Sequence, residues 1–171
     1  ISINAKNTTL LHGEWEFYWQ HLLEPGDPAF QNDQKTYYEY PALWNKGSAG
    51  GQELSNFGYA TYRCLVKVDT LQELSIHIED VYSAYSLYWN GRLISSNGQI
   101  ATSKDEFVPY WQPDYVRLLD LQPENELILQ IANFSHSKGG STQTIEIGPT
   151  RVLEQKEYRV MAYDLLLTGS L

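Results

Sequence analysis

The chain has 171 residues, a formal charge of −9 and a pI near 4.8, a length that fits one ordinary domain with a sizeable core. Its 42% hydrophobic and 13% aromatic content predicts a packed globule rather than a disordered segment. The acidic balance excludes a nucleic-acid partner, which needs clustered Lys and Arg, and the single cysteine, Cys64, excludes an internal disulfide or a multi-cysteine zinc site.

Strands dominate in chain order. The chain opens at Ile1 rather than Met and shows no signal peptide, which reads as a trimmed fragment and leaves export open. In "GEWEFYW", Trp15, Phe17 and Trp19 fall on one face and Glu14, Glu16 and Tyr18 on the other. The segments Glu24 to Gln34 and Asn45 to Asn56, rich in Gly, Pro, Asn and Ser, are expected as surface loops. "ATYRCLVKV" resumes the alternation, with Cys64 in step with Tyr62, Val66 and Val68 as a buried structural thiol. "ELSIHIE" turns Leu74, Ile76 and Ile78 inward and sends Ser75, His77 and Glu79 outward. "AYSLYWNGRLISS" is a hairpin, because both positions of an Asn90-Gly91 turn need a positive φ and these residues tolerate it best. "DYVRLLDL", "ELILQIANF" and "TQTIEIG" complete about eight strands. With no crossover-length helix between them, they predict an antiparallel β-sandwich. Its core is expected to hold Trp15, Phe17, Leu74, Ile76, Ile78, Leu87, Leu127, Leu129 and Ile131. After Pro149 the period changes to that of a helix, so the division is a sandwich over 1–150 and a helical connector over 151–171. No uninterrupted apolar run reaches the roughly 20 residues of a membrane span.

Chemistry is sparse. The carboxylates are scattered, and nothing in the sequence sets two of them across one cleft as glycoside hydrolysis requires, so no catalysis is expected. His12, His21, His77 and His136 lack paired zinc spacing, and no Asp-rich calcium loop is present, so neither metal nor cofactor is expected.

Six ordered blocks carry a resemblance: "LLHGEWEFYWQHLLEP", "YPALWNKG", "FGYATYRCLVKV", "AYSLYWNGRLISSNGQI", "ELILQIANFSHSKGG" and "IEIGP". Together they resemble the extracytoplasmic domain of bacterial 7TM-DISM receptors, seven-transmembrane receptors with diverse intracellular signalling modules. More distantly they are similar to the sugar-binding jelly roll of family 2 glycosidases. The resemblance implies a galactose-binding-like jelly roll that senses a small polar ligand, a carbohydrate among the candidates, outside the cytoplasm. It also implies a membrane tether beyond this chain, through which the signal reaches a cytoplasmic output domain, and it leaves a homodimer open. Two other readings stand beside it: an accessory carbohydrate-binding module of a glycosidase, and a purely structural ectodomain.

Ligand candidates come from loops and exposed strand positions. Trp44 precedes a Gly-rich loop, either as a plug on the sandwich end or as a platform for a sugar ring. Trp111 lies in "PYWQPDY" between two prolines, and Tyr82 and Tyr85 follow a strand end on the same expected rim. Asn133 and His136 sit where a strand breaks into a Gly-Gly loop, with Asn133 either binding ligand or satisfying backbone groups. Arg63 either reaches a ligand or pairs with Glu79 or Asp80, and Lys138 is available to capture a carboxylate.

Overall fold

The computed structural model describes residues 1–3, 7–45, 47–69, 72–79 and 81–169, with residues 164, 165 and 168 described by their helical backbone alone. In chain order the elements are β1 (Ser2–Ile3), β2 (Thr9–Leu11), β3 (Gly13–Trp19), β4 (Tyr37–Tyr40), β5 (Ser48–Ala49), β6 (Gln52–Glu53), β7 (Gly58–Val68), β8 (Leu74–Ile78), β9 (Ala84–Trp89), β10 (Arg92–Asn97), β11 (Asp114–Arg117), β12 (Glu124–Asn133), β13 (Ile145–Pro149) and α1 (Thr150–Thr168). Strand alternation builds two sheets. One runs β10-β9-β12-β7-β3-β4 with β1 added parallel to β7, and the other runs β11-β8-β13-β2, antiparallel throughout. They pack face to face as a jelly-roll sandwich.

All nine expected core residues are buried between the sheets. At one end the core is aromatic: Trp15 meets Tyr40 at 4.4 Å, and Phe17 meets Tyr62 at 4.8 Å and Tyr38 at 5.0 Å between ring centroids. Cys64, expected to be buried, is half-buried and packed against the core, and desolvation pushes its thiol up to about 12. The β9–β10 hairpin turns as its residues demand, with φ of 48° at Asn90 and 81° at Gly91.

Three further expectations change. The outer face of the larger sheet is covered: Ile128 lies beneath Leu23 and Phe30, and Ala132 packs with Ala101 and Phe107. The segment Glu24 to Gln34 is therefore more than a surface loop. It carries Phe30 into that cover on a 3-10 turn, Pro28–Gln31, with Asp27 Oδ1 accepting from the amide of Ala29 at 2.8 Å. The segment Asn45 to Asn56 contains the β5–β6 hairpin and buries Ala49 and Leu54.

The third change concerns Ser75 and His77. Both take the outer face that alternation assigns them, yet both are buried, because the first turns of α1 lie across that face with Leu153 buried against it. Ser75 Oγ donates to Thr150 Oγ1 at 2.9 Å. The His77 ring stacks on Tyr115 at 4.0 Å, and its Nδ1 is 3.9 Å from Glu146 Oε2, which also takes Lys156 Nζ at 2.5 Å. Desolvation holds His77 below its ordinary value. Burial would raise the Glu146 carboxyl, but the bonds from Lys156 and Thr8, with the charge of Lys156, together keep it below the usual range. Beyond Lys156 the helix leaves the sandwich, with Tyr158, Met161, Leu166 and Leu167 exposed. No helix among the described residues is long and apolar enough to cross a membrane.

Candidate functional site

Loops from four parts of the chain meet at one end of the sandwich, held by backbone bonds. The amide of Trp44 donates to Gly139 O at 2.9 Å, Ser141 N to Ala42 O at 3.2 Å, and Tyr82 N to Gly140 O at 3.2 Å. A strap over residues 108–112 joins them. It is fastened by Gln99 N to Val108 O at 2.8 Å, by Val108 N to Gln99 O at 3.1 Å and by Tyr110 N to Ser83 O at 3.1 Å. Gly98, at φ 68°, lets the strap come this close, since a Cβ there would collide with the Val108 carbonyl and sit 3.0 Å from Tyr110 N.

The expected ligand residues separate into two groups. Trp44 is 0% exposed. Its ring lies under the Gly139-Gly140 pair, where a Cβ on Gly139 would stand 2.6 Å from Trp44 Cε3. Its Nε1 donates to Tyr62 Oη at 2.8 Å, and its ring meets Trp19 edge-on at 4.9 Å. The plug is the geometry found. Asn133, also fully buried, is the hub of its loop. Its Nδ2 donates to the carbonyls of Asn56 and His136 at 2.8 Å and of Lys138 at 3.1 Å, while its Oδ1 accepts from Ser83 Oγ at 2.9 Å and His136 N at 3.0 Å. Those contacts satisfy the amide within the protein.

Two more residues stand away from the rim. Tyr85 points into the sandwich with Leu87 and Trp89, as the strand period requires, and its hydroxyl shares a 2.9 Å bond with Ser95 Oγ. Arg63 lies on the outer face of the larger sheet. Its partners are neither Glu79 nor Asp80, the latter outside the described residues, but Glu16 and Glu126. The reason is register: Glu16 is the direct cross-strand neighbour of Arg63, and Glu126 sits two residues from its other neighbour, Ile128. Arg63 Nε donates to Glu126 Oε1 at 2.6 Å and Nη1 to Glu16 Oε2 at 2.9 Å, while Lys35 Nζ reaches Glu16 Oε1 at 2.6 Å. Burial would raise the Glu16 carboxyl, but the bonds from Lys35 and Arg63 hold it below the ordinary range. A carboxylate so placed is a poor general acid.

Tyr82, Trp111 and His136 do come together. The His136 ring is stacked on Tyr82 at 4.6 Å with 4° between planes, and Trp111 meets it edge-on at 5.8 Å. Lys138 Nζ lies 5.9 Å from the Tyr82 ring centroid. Lys138 N and Lys138 O lie 3.1 and 3.3 Å from His136 Nδ1, so the backbone of its own loop holds the ring whichever nitrogen carries the proton. Trp111 is 53% exposed. Beside it, Pro109, Tyr110, Trp111, Ser135 and His136 line an apolar cleft of about 460 Å³. Tyr110 and Ser135 were not among the expected residues; the neighbour of Trp111 between two prolines was the available signal. Such a cleft offers flat aromatic faces with a few polar groups at their edges, which suits a ring that is apolar on its face and polar at its rim. Among the described residues no group of three or more His, Cys, Asp or Glu side chains is gathered for a metal.

No family model matches the chain, and no curated protein is similar to it in sequence. Solved structures are similar in fold. A GH2 beta-galacturonidase from Eisenbergiella tayi bound to glycerol matches 84% of this chain with a TM-score of 0.57 at 15% identity. A beta-glucuronidase from an uncultured Clostridium sp. matches 86% at 0.62 and 13%, and the Faecalibacterium prausnitzii beta-glucuronidase 85% at 0.60 and 14%. The chain spans only 24%, 30% and 31% of those three enzymes, so the likeness is to one portion of each, and at such identity it is a likeness of fold: a jelly-roll β-sandwich similar to one in GH2 glycosidases.

Proposed function

We propose that this jelly roll is an extracytoplasmic sensor domain that binds a small saccharide, neutral or acidic, in the cleft lined by Pro109, Tyr110, Trp111, Ser135 and His136, with Tyr82 stacked on His136. The observation that carries the reading is the exposed Trp111 ring set against the stacked Tyr82–His136 pair over a 460 Å³ cleft. Tyr110 and Trp111 leave adjoining aromatic surface open beside the cleft, whereas the other four tryptophans are buried or half-buried, and such a contiguous apolar patch is an unusual use of surface. The fold similarity to enzymes named for cleaving galacturonides and glucuronides supports a carbohydrate as the ligand class. No catalytic role is assigned to the chain.

In this reading the protein is tethered to a membrane and α1 conducts the signal, in the manner of the 7TM-DISM receptors that the sequence resembles. The root of the helix is fixed to the smaller sheet through Leu153, Thr150 and Lys156, and its distal turns project. A ligand-driven shift must pass through that root, which requires the ligand to favour one of two arrangements of it. Inserting a few Gly-Ser residues before Tyr158 in the intact receptor is expected to preserve ligand affinity and abolish the output. Normal output through the insertion overturns the coupling.

The second reading, an accessory module of a glycosidase, is favoured by the same fold neighbours and shares the binding cleft. The binding test serves both readings. On an array of neutral and uronic saccharides the protein is expected to retain at least one sugar and its Trp111→Ala variant to lose it at least tenfold. Retention of no saccharide, or undiminished binding by the variant, removes the proposal.

A further inference from the structure

The end cleft does not stop at Trp111. Tyr110, which lines it, also lines a second depression of about 270 Å³ between Ser96 to Gly98 on one side and residues 112–114 on the other. A third, of about 240 Å³, lies farther along the same two segments, between Arg92 to Ile94 and Val116 to Arg117. The second and third share one geometry. β10 is the edge strand of the larger sheet and β11 the edge strand of the smaller, and both depressions follow the seam where the two edges face each other.

The seam is stitched below its surface. Ser95 Oγ donates to Asp114 Oδ2 at 2.6 Å, and Asn97 Nδ2 donates to the carbonyl of Gln112. Ser95 and Asn97 are both 7% exposed, so these bonds form a floor while Ser96, on the opposite face of the strand, stays exposed. From Arg92 to Gly98 the trough runs about 20 Å at the usual rise per strand residue, and the end cleft extends it further.

On the basis of the saccharide reading above, we propose that the natural ligand is an unbranched oligosaccharide several rings long. One terminal ring lies against Trp111 and His136, and its body follows the β10–β11 seam towards Arg92. The trough supplies what such a chain needs along its length. Apolar faces come from Tyr110 and Leu93, both exposed. Hydroxyl partners come from Ser96, Gln112 and the outward backbone groups of the two edge strands. At the far end Arg92, exposed and without an ion pair or side-chain hydrogen bond among the described residues, offers a planar donor fork. An added peptide strand fits less well, because the β10 ladder shifts register between Leu93 and Ser95 and the stitched edges leave a trough rather than an open edge.

The test is calorimetric titration of the protein with length series, from one to six rings, of β-1,4-linked glucose, xylose and galacturonate. Affinity in the series that binds is expected to rise at least tenfold between the disaccharide and the hexasaccharide. Ser96→Trp, which fills the middle of the trough, and Arg92→Ala are each expected to cut hexasaccharide affinity at least threefold and leave the monosaccharide unaffected. Both positions are exposed, so the variants should fold, which circular dichroism verifies. If one ring binds as tightly as six, or if neither variant weakens the hexasaccharide, the seam is not the ligand path and the end cleft alone remains. If no length of any series binds, this proposal and the saccharide reading fall together.

Discussion

Trp44 and Trp111 look alike in the sequence, each beside a proline-containing turn and each a candidate sugar platform, yet the fold uses them in opposite ways. Trp44 is sealed under Gly139 and Gly140, bonded through Nε1 and pressed against Trp19. Trp111 sits on a strap held by its backbone, and its ring touches only the edge of the cluster. The difference teaches where binding capacity resides: in side chains whose faces the fold has left open, held by backbone bonds made elsewhere. The same contrast separates Asn133, whose amide is saturated, from its loop neighbour His136, and Arg63, neutralised by two carboxylates, from Arg92.

The largest effects should fall on the committed residues. Trp44→Ala is expected to cost about 3 to 5 kcal/mol in urea denaturation, the usual loss for truncating a buried tryptophan. Gly139→Ala should act on the same packing from the loop side, because its new methyl would press on Trp44 and on the Asn56 carbonyl. A loss for Trp44→Ala below about 1 kcal/mol would mean the ring is not a plug.

Next in size is Asn133→Ala, expected to cost about 2 kcal/mol or more, since it strands several buried backbone groups at once. Saccharide affinity should fall with it, but through disorder of the His136 loop rather than through a lost ligand contact. Faster amide exchange over residues 134–140 would identify that route, whereas unchanged exchange with lost binding would make Asn133 a direct ligand.

The covered face of the smaller sheet yields a pH effect whose sign is fixed. His77 has a folded-state value below its ordinary 6.5, so the unfolded chain takes up the proton first and stability is lost as the pH falls below about 6.5, until the lowered folded value is reached. Glu146 and Glu16 add a second loss. Their contribution is complete above about 4.5 and disappears as the pH falls through their lowered folded values. Denaturation midpoints between pH 7.5 and 5 should therefore decline for the natural chain and flatten in His77→Gln. An equal decline in the variant would assign the effect elsewhere.

Strand identity was legible in the residues because one face of each strand had to be apolar: β3, β7, β8, the β9–β10 hairpin and β12 all fall where alternation puts them. What covers the second face was not legible. Nothing near His77 announces that α1, some 75 residues on, will lie over it, and nothing in "EPGDPAFQNDQ" says that Phe30 will cover Ile128. Site residues follow the same logic. The fate of Trp44 is decided by two glycines about 95 residues away, and that of Arg63 by Glu16 across the ladder. Trp111 was readable because its own flanking prolines already marked a rigid exposed strap.

The smallest stability effect belongs to Trp111→Ala, within about 0.5 kcal/mol, as for other exposed positions. That neutrality allows the most direct measurement. Trp111 is the one tryptophan of five that is mostly exposed, so iodide quenching of intrinsic fluorescence reports chiefly on its ring. Titration with the saccharide that binds is predicted to protect the emission from iodide and shift it to shorter wavelength, and the Trp111→Phe variant should lose the protectable component. Saccharide binding by calorimetry with no change in Trp111 quenching would contradict the account, because the ligand would then lie elsewhere on the sandwich.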